Sequence, residues 1–228
     1  MAEPPSLVCT VDAAASGASL LVEALRAVDS LRGSARLAIP GGSALAALRG
    51  ARAQLGAAWS RVRLTWVDER CVPFNDAQSN RGDAYRSGAL DARNPPAELL
   101  PLFEDGERGD HAVERVEALL DERFGGALDV VLLGMGEDGH VGSLFPAAPE
   151  PGNARVGFVR ASPKPPAQRI TLTRRMLATA RRTILVATGE AKRLAVERLL
   201  AADAALPATG LPDLVVVTDL DLAARGTP

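Results

Sequence analysis

Short apolar runs alternate along this chain with stretches whose apolar residues recur at helical spacing, the pattern of strands and helices taking turns. Leu7 to Val11 reads as a first strand, and Leu20, Leu21, Ala24, Leu25 and Val28 then mark a helix ending near Gly33. Arg36 to Ile39 is a second strand, broken by Pro40-Gly41-Gly42-Ser43 and followed by an Ala/Leu-rich helix from Ala44 to Leu55. Val62 to Val67 is a third strand that delivers Asp68-Glu69-Arg70 into a loop. That loop reaches Ser79-Asn80, either of which suits the cap of a helix through Tyr85 to Leu90. Leu99 to Leu102, behind Pro95-Pro96, fits a sheet edge because proline has no N–H to donate. A helix from about Asp110 to Phe124 leads into Leu128 to Leu133, a continuous apolar run suited to a strand buried on both faces. Beyond a Pro-rich stretch come strands at Val156 to Val159, Arg169 to Thr173, Thr183 to Ala187 and Asp213 to Thr218. Helices at Arg174 to Ala180 and up to about Leu200 separate the last three, with Lys192 in the first turn of the second helix.

Repeated strand–helix alternation predicts an α/β fold: a doubly wound, mostly parallel sheet with helices on both faces, Rossmann-like, in a single domain over residues 1–228. Such sheets bind ligands at the carboxyl ends of their strands. That rim collects Gly41 to Ser43, Asp68 to Arg70, the loop of residues 134–146, and Lys192.

The loop Gly134-Met135-Gly136-Glu137-Asp138-Gly139-His140-Val141-Gly142-Ser143-Leu144-Phe145-Pro146 carries most of the chemistry. Its glycines permit close backbone approach, and two carboxylates and an imidazole follow directly on a buried strand. Gly134, Gly136 and Gly139 also spell G-x-G-x-x-G, yet no helix follows, only Ser143 and prolines, and the next strand ends in Arg160 rather than an acid. Glu137 and Asp138 would also stand where pyrophosphate charge must go, which argues against a dinucleotide site. His140 is one of only two histidines, and its ordinary pKa suits proton transfer near neutrality; His111 reads as a solvated first-turn residue. The Gly41-Gly42-Ser43 turn at a helix start is an anion-binding arrangement, the plain alternative being a βα turn with Ser43 as N-cap. Asp68, Glu69 and Arg70 either serve a site or pair with one another at the surface.

Composition narrows the partners. The 228 residues carry a net charge of −2 and a pI near 5.8, which gives no general reason to bind nucleic acid or an anionic membrane. No apolar stretch is long enough to span a bilayer and the first residues lack a signal-peptide pattern, so a cytoplasmic protein is expected. Cys9 and Cys71 read as free thiols, no metal-ligand spacing occurs, and no cofactor is called for. In a chain with 26 basic residues, only Lys164 and Lys192 are lysine, and Lys192 lies where it opposes a helix dipole.

Taken together these segments resemble the glucosamine-6-phosphate isomerase/6-phosphogluconolactonase superfamily, on its lactonase branch. Gly134 to Pro146 looks like G-M-G-x-D-G-H-x-x-S-L-F-P, and Trp66 to Pro73 looks like W-x-D-E-R-x-V-P, followed by Ser79-Asn80. Pro40 to Ser43, Arg169 to Thr173 and Thr188-Gly189-x-x-Lys192 match further family segments in order. The departures are Pro40, Ala44 and Leu45 in an S-G-G-S-T-P pattern and Val141-Gly142 where Thr-Ala is usual. The isomerase/deaminase branch follows D-G-H with I-A-F-N-E-P, whose Glu takes part in catalysis, and here that Glu is missing. A non-catalytic sugar-phosphate sensor is the third reading, and His140 argues against it.

The resemblance implies hydrolysis of 6-phospho-D-glucono-1,5-lactone to 6-phosphogluconate in the oxidative pentose phosphate pathway, by a monomer or small homo-oligomer acting on a small molecule. His140 is then the expected base, Asp138 its partner, and Arg70 or glycine N–H groups the oxyanion donors. Gly41, Gly42, Ser43, Asp68, Asn80, Gly136, Arg169 and Lys192 are the expected substrate and phosphate contacts.

Overall fold

The five inner strands of the main sheet are buried on successive residues, so both of its faces are covered by helices there. The computed structural model describes residues 4–151 and 154–222. Its strands are β1 (Ser6–Cys9), β2 (Ala35–Ile39), β3 (Val62–Trp66), β4 (Asp68–Arg70), β5 (Glu98–Leu100), β6 (Val130–Gly134), β7 (Val156–Val159), β8 (Arg169–Leu172), β9 (Arg182–Ala187) and β10 (Leu214–Thr218). Its helices are α1 (Ala13–Arg32), α2 (Leu45–Leu55), α3 (Asn80–Arg86), α4 (Gly109–Phe124), α5 (Arg174–Leu177) and α6 (Arg193–Leu200).

Seven strands pair in parallel in the order β1-β10-β9-β6-β2-β3-β5. From β2 the chain winds outward through β3 to β5, and from β6 it winds the other way through β9 to β10. Winding direction therefore reverses between β2 and β6. A crevice opens at such a reversal because the two connecting loops diverge to opposite faces. Here those loops are the Gly41 turn and the Gly134 loop. Leu21, Val22, Leu25 and Val28 give α1 its buried stripe, and Asp12 caps it by accepting the Ala15 N–H at 2.9 Å. Trp59, Trp66 and Phe124 join the same contiguous core.

The expectation of a loop at Asp68 to Arg70 is corrected: these residues form β4, in a second, antiparallel sheet of order β4-β8-β7. Val67 is the hinge between sheets, its N–H bonding to Ile39 O at 2.7 Å and its carbonyl accepting from Leu172 N at 2.8 Å. Other bounds shift too, three of them near the rim. The Gly-Gly-Ser turn runs into a 3-10 turn at Gly42–Ala44, so Ser43 is not the cap of α2. Helix α3, capped by Ser79 through the Gly82 N–H, stops at Arg86 rather than Leu90. Lys192 closes a 3-10 turn just ahead of α6. Among the described residues, no helix is long and apolar enough to cross a membrane.

Candidate active site

At the reversal point lies a cleft of about 190 Å³ whose lining includes Gly41, Gly42, Ser43, Asp68, Arg70, Asn80, Gly136, His140 and Lys192. The two loops bring the glycine turn and His140, β4 brings Asp68 and Arg70, and the turn after β9 brings Lys192. A larger cavity of about 640 Å³ lies beyond residues 143–151, walled by prolines, alanines, Phe145 and Phe158. It holds no histidine and neither glycine turn, so the smaller cleft is the one with chemistry.

His140 Nδ1 lies 2.5 Å from Asp138 Oδ1. A carboxylate there accepts, which fixes the ring proton on Nδ1 and leaves the Nε2 lone pair for another partner. Burial pushes the Asp138 carboxyl up, but the His140 hydrogen bond, the His140 charge and Lys164 outweigh it and hold the pKa below its ordinary value. Phe145 backs the imidazole with ring centroids 4.9 Å apart. On the other side a Cβ at position 136 would stand 2.1 Å from Cε1 and Nδ1 of His140, so glycine there is what lets the ring seat against the loop.

Two cations line the same cleft. Arg70 Nη1 donates to Gln78 O at 2.6 Å, and its buried Nε has no acceptor among the described residues. Lys192 is half-buried; desolvation lowers its pKa, with the Glu137 and Asp219 charges opposing that shift. Asp68 is anchored from two sides, accepting Asn80 Nδ2–H on Oδ1 at 3.0 Å and Ser143 Oγ–H on Oδ2 at 2.7 Å.

Two of the expected phosphate contacts already have partners within the protein. Arg169 is only 3% exposed and lies outside the cleft lining. Its guanidinium donates to the carbonyls of Lys164 at 2.9 Å, Pro165 at 3.1 Å and Pro166 at 3.0 Å, and it stands 3.9 Å from Asp68. It braces the wall because buried charge must be paired, and the carbonyls and Asp68 supply that pairing. Gly42 does line the cleft, but its N–H already donates to Asp83 Oδ2 at 3.1 Å, which removes one donor from the anticipated anion cradle.

The family model described as glucosamine-6-phosphate isomerases/6-phosphogluconolactonase matches residues 10–217. The chain belongs to that family. The 6-phosphogluconolactonase of Rattus norvegicus is 37% identical over 208 residues, covering 84% of this chain and 80% of the relative. The crystal structure of 6-phosphogluconolactonase from Thermotoga maritima superposes with a TM-score of 0.82 at 22% identity, over 94% of this chain and 98% of that one. A monomeric glucosamine-6-phosphate deaminase superposes with a TM-score of 0.79 at 18% identity, over 98% of this chain and 100% of that one. Both branches thus share the fold, and the fold alone does not separate them.

Other side chains near the cleft find partners that the sequence did not reveal. Ser143, within the S-L-F-P segment, is the hydroxyl on Asp68. Lys164 was conspicuous as one of two lysines, and its Nζ lies 3.4 Å from Asp138 Oδ1. Glu69, 3% exposed, does not pair at the surface; it accepts backbone N–H groups of Arg70, Asn80 and Arg81. Burial raises its pKa and Asp68 adds to the rise, against those three donors. Cys71, beside it, is pushed up to about 12 by burial and by the Glu69 and Glu107 charges, so it supplies no thiolate near neutral pH. Among the described residues, no group of three or more His, Cys, Asp or Glu is placed to hold a metal ion.

Proposed function

We propose that this chain hydrolyses 6-phospho-D-glucono-1,5-lactone to 6-phosphogluconate, the lactone-opening step of the oxidative pentose phosphate pathway. The observation that carries the reading is a histidine with its proton fixed on Nδ1 by Asp138, set in one cleft with Arg70 and Lys192. His140 Nε2 takes a proton from water as the water oxygen attacks C1. The carbonyl electrons move to an oxyanion, which then collapses, expels the ring oxygen and lets it recover the proton from the imidazolium. Arg70 and Lys192 hold the 6-phosphate, and that remote binding energy orients C1 towards the base. Asp68 and Asn80 line the same cleft and take sugar hydroxyls. The enzyme works on a free small molecule, without metal, cofactor, nucleic acid or membrane, in the cytoplasm, as a monomer or small homo-oligomer.

One observation weighs against the deaminase branch. After His140 the chain turns through Val141, Gly142, Ser143 and Leu144, with reciprocal Val141–Leu144 backbone bonds of 3.2 and 3.0 Å, and no carboxylate follows in that turn. The next acid, Glu150, lines the larger cavity instead. Purified protein should therefore open the phosphorylated lactone faster than the spontaneous background and release no ammonia from glucosamine 6-phosphate. Steady ammonia production with background-level lactone opening would reverse the assignment.

Lys192→Ala removes one charge-assisted contact, worth roughly 1.5–3 kcal/mol, so kcat/KM should drop about 10- to 150-fold, mostly through KM. Arg70→Ala should cost at least as much, and a fall in kcat as well would assign it to the oxyanion. Unphosphorylated gluconolactone should be a poor substrate for the parent. Equal turnover of both lactones with a silent Lys192→Ala would put the anion site elsewhere.

A further inference from the structure

Glu69 is a buried carboxylate that the mechanism does not use and that does not line the cleft. Four donors converge on it. Oε1 accepts the N–H groups of Arg70 and Asn80, both at 2.7 Å, and Oε2 accepts the Arg81 N–H at 2.6 Å and the Ser79 hydroxyl at 3.2 Å. Every partner donates, so only a group that accepts on both oxygens satisfies them all. Two of these N–H groups belong to the first residues of α3, which have no partner within the helix itself.

The consequence reaches the cleft through α3. Asn80, whose backbone Glu69 holds, donates its side-chain amide to the Asp68 carbonyl at 2.9 Å and to Asp68 Oδ1. The same side chain packs against Gly41 so closely that a Cβ there would meet its Oδ1 at 2.0 Å. Asp83, one turn on, takes the Gly42 N–H, and Gln78, just ahead of the helix, takes Arg70 Nη1. Asp68, Arg70 and the glycine turn are thus each tied to α3 or the residues leading into it, and that end of α3 is tied to Glu69.

We propose that Glu69 is a positioning residue for substrate binding, fixing Arg70, Asp68 and the Gly41-Gly42 turn relative to one another by anchoring the start of α3 to β4. The inference rests on the proposed lactonase reading, because it assigns the cleft to the sugar phosphate. His140 and Asp138 lie on a different loop and hold each other, so the base is left in place.

Glu69→Gln has the same shape but turns one acceptor oxygen into an NH₂ facing donors, while Glu69→Asp keeps the charge with a shorter reach. Weakening a charge-assisted contact to phosphate costs about 10- to 150-fold in affinity, so Glu69→Gln should raise KM for the phosphorylated lactone and Kd for inorganic phosphate by at least about 10-fold. Its kcat should stay within about 3-fold of the parent, and Glu69→Asp should fall between the two. Where Glu69→Gln does not fold, the KM and Kd of Glu69→Asp decide. A lowered melting temperature with parental KM and phosphate Kd, or a loss confined to kcat, overturns the proposal. A parent without lactonase activity overturns the functional reading alone, since the phosphate Kd comparison still reports on Glu69.

Discussion

His140→Ala is expected to lower kcat by about 10²- to 10⁴-fold, the usual contribution of a positioned general base. Asp68, the carboxylate in the cleft lining, is no ready substitute for the imidazole, because both its oxygens are engaged by Asn80 and Ser143. Against burial, which raises it, the Asp138 pKa is held below the ordinary carboxylate value by His140, so at neutral pH Asp138 is the ionised acceptor that orients the ring. Steady-state rates at neutral pH, corrected for spontaneous opening, check the loss, with an unchanged melting temperature as the control for folding. Near-normal kcat in His140→Ala would move the base elsewhere.

Much of this site was legible in the sequence because parallel α/β folds put strand carboxyl ends on one rim. A charge or glycine cluster directly after an apolar run is therefore placed by topology alone. The Gly41 turn, His140 and Lys192 all follow that logic. What escaped follows from long-range pairing. Three residues of β4 carry no readable alternation, and their partner β8 lies about a hundred positions away, so Asp68 to Arg70 read as loop. The family resemblance placed Arg169 among the phosphate contacts. Its neutral partners are backbone carbonyls of 164–166, which no side-chain pattern announces. Glu69 and Asp83 were hidden for the same reason: each binds backbone N–H groups on another segment, and every residue but proline offers one. Helix α3 ended early because Gly88 turns the chain and Leu90 N–H returns to Ala84 O at 2.8 Å.

The opposite end of the sheet is expected to govern stability without touching chemistry. Asp129, just ahead of β6, has a side chain 1% exposed. Arg36 grips it with Nε at 2.8 Å, Nη2 at 2.9 Å and its backbone N–H at 3.0 Å, and Arg32 Nη1 adds a bond at 2.9 Å. These contacts join the amino ends of β2 and β6, the two strands that flank the cleft at their carboxyl ends. Asp129→Ala leaves the Arg36 guanidinium, 18% exposed, beside an apolar gap, and breaking such a buried pair costs about 3–5 kcal/mol. For a chain of this size that lowers Tm by roughly 6–20 °C. Burial pushes the Asp129 carboxyl up, but the Arg36 hydrogen bonds and the Arg36 and Arg32 charges outweigh it, so the folded pKa is depressed. A depressed acid contributes stability that is fully present above its unfolded value, about 3.9, and that is lost as pH falls through the folded pKa. The gap between parent and Asp129→Ala should thus be constant from pH 5 to 8 and narrow below about pH 4. Denaturant unfolding at pH 7 and pH 3 measures it, and kcat/KM of the folded variant at 25 °C should match the parent. A destabilisation under about 1 kcal/mol at pH 7, or a gap that widens in acid, would show that this cluster is a surface pair of little weight.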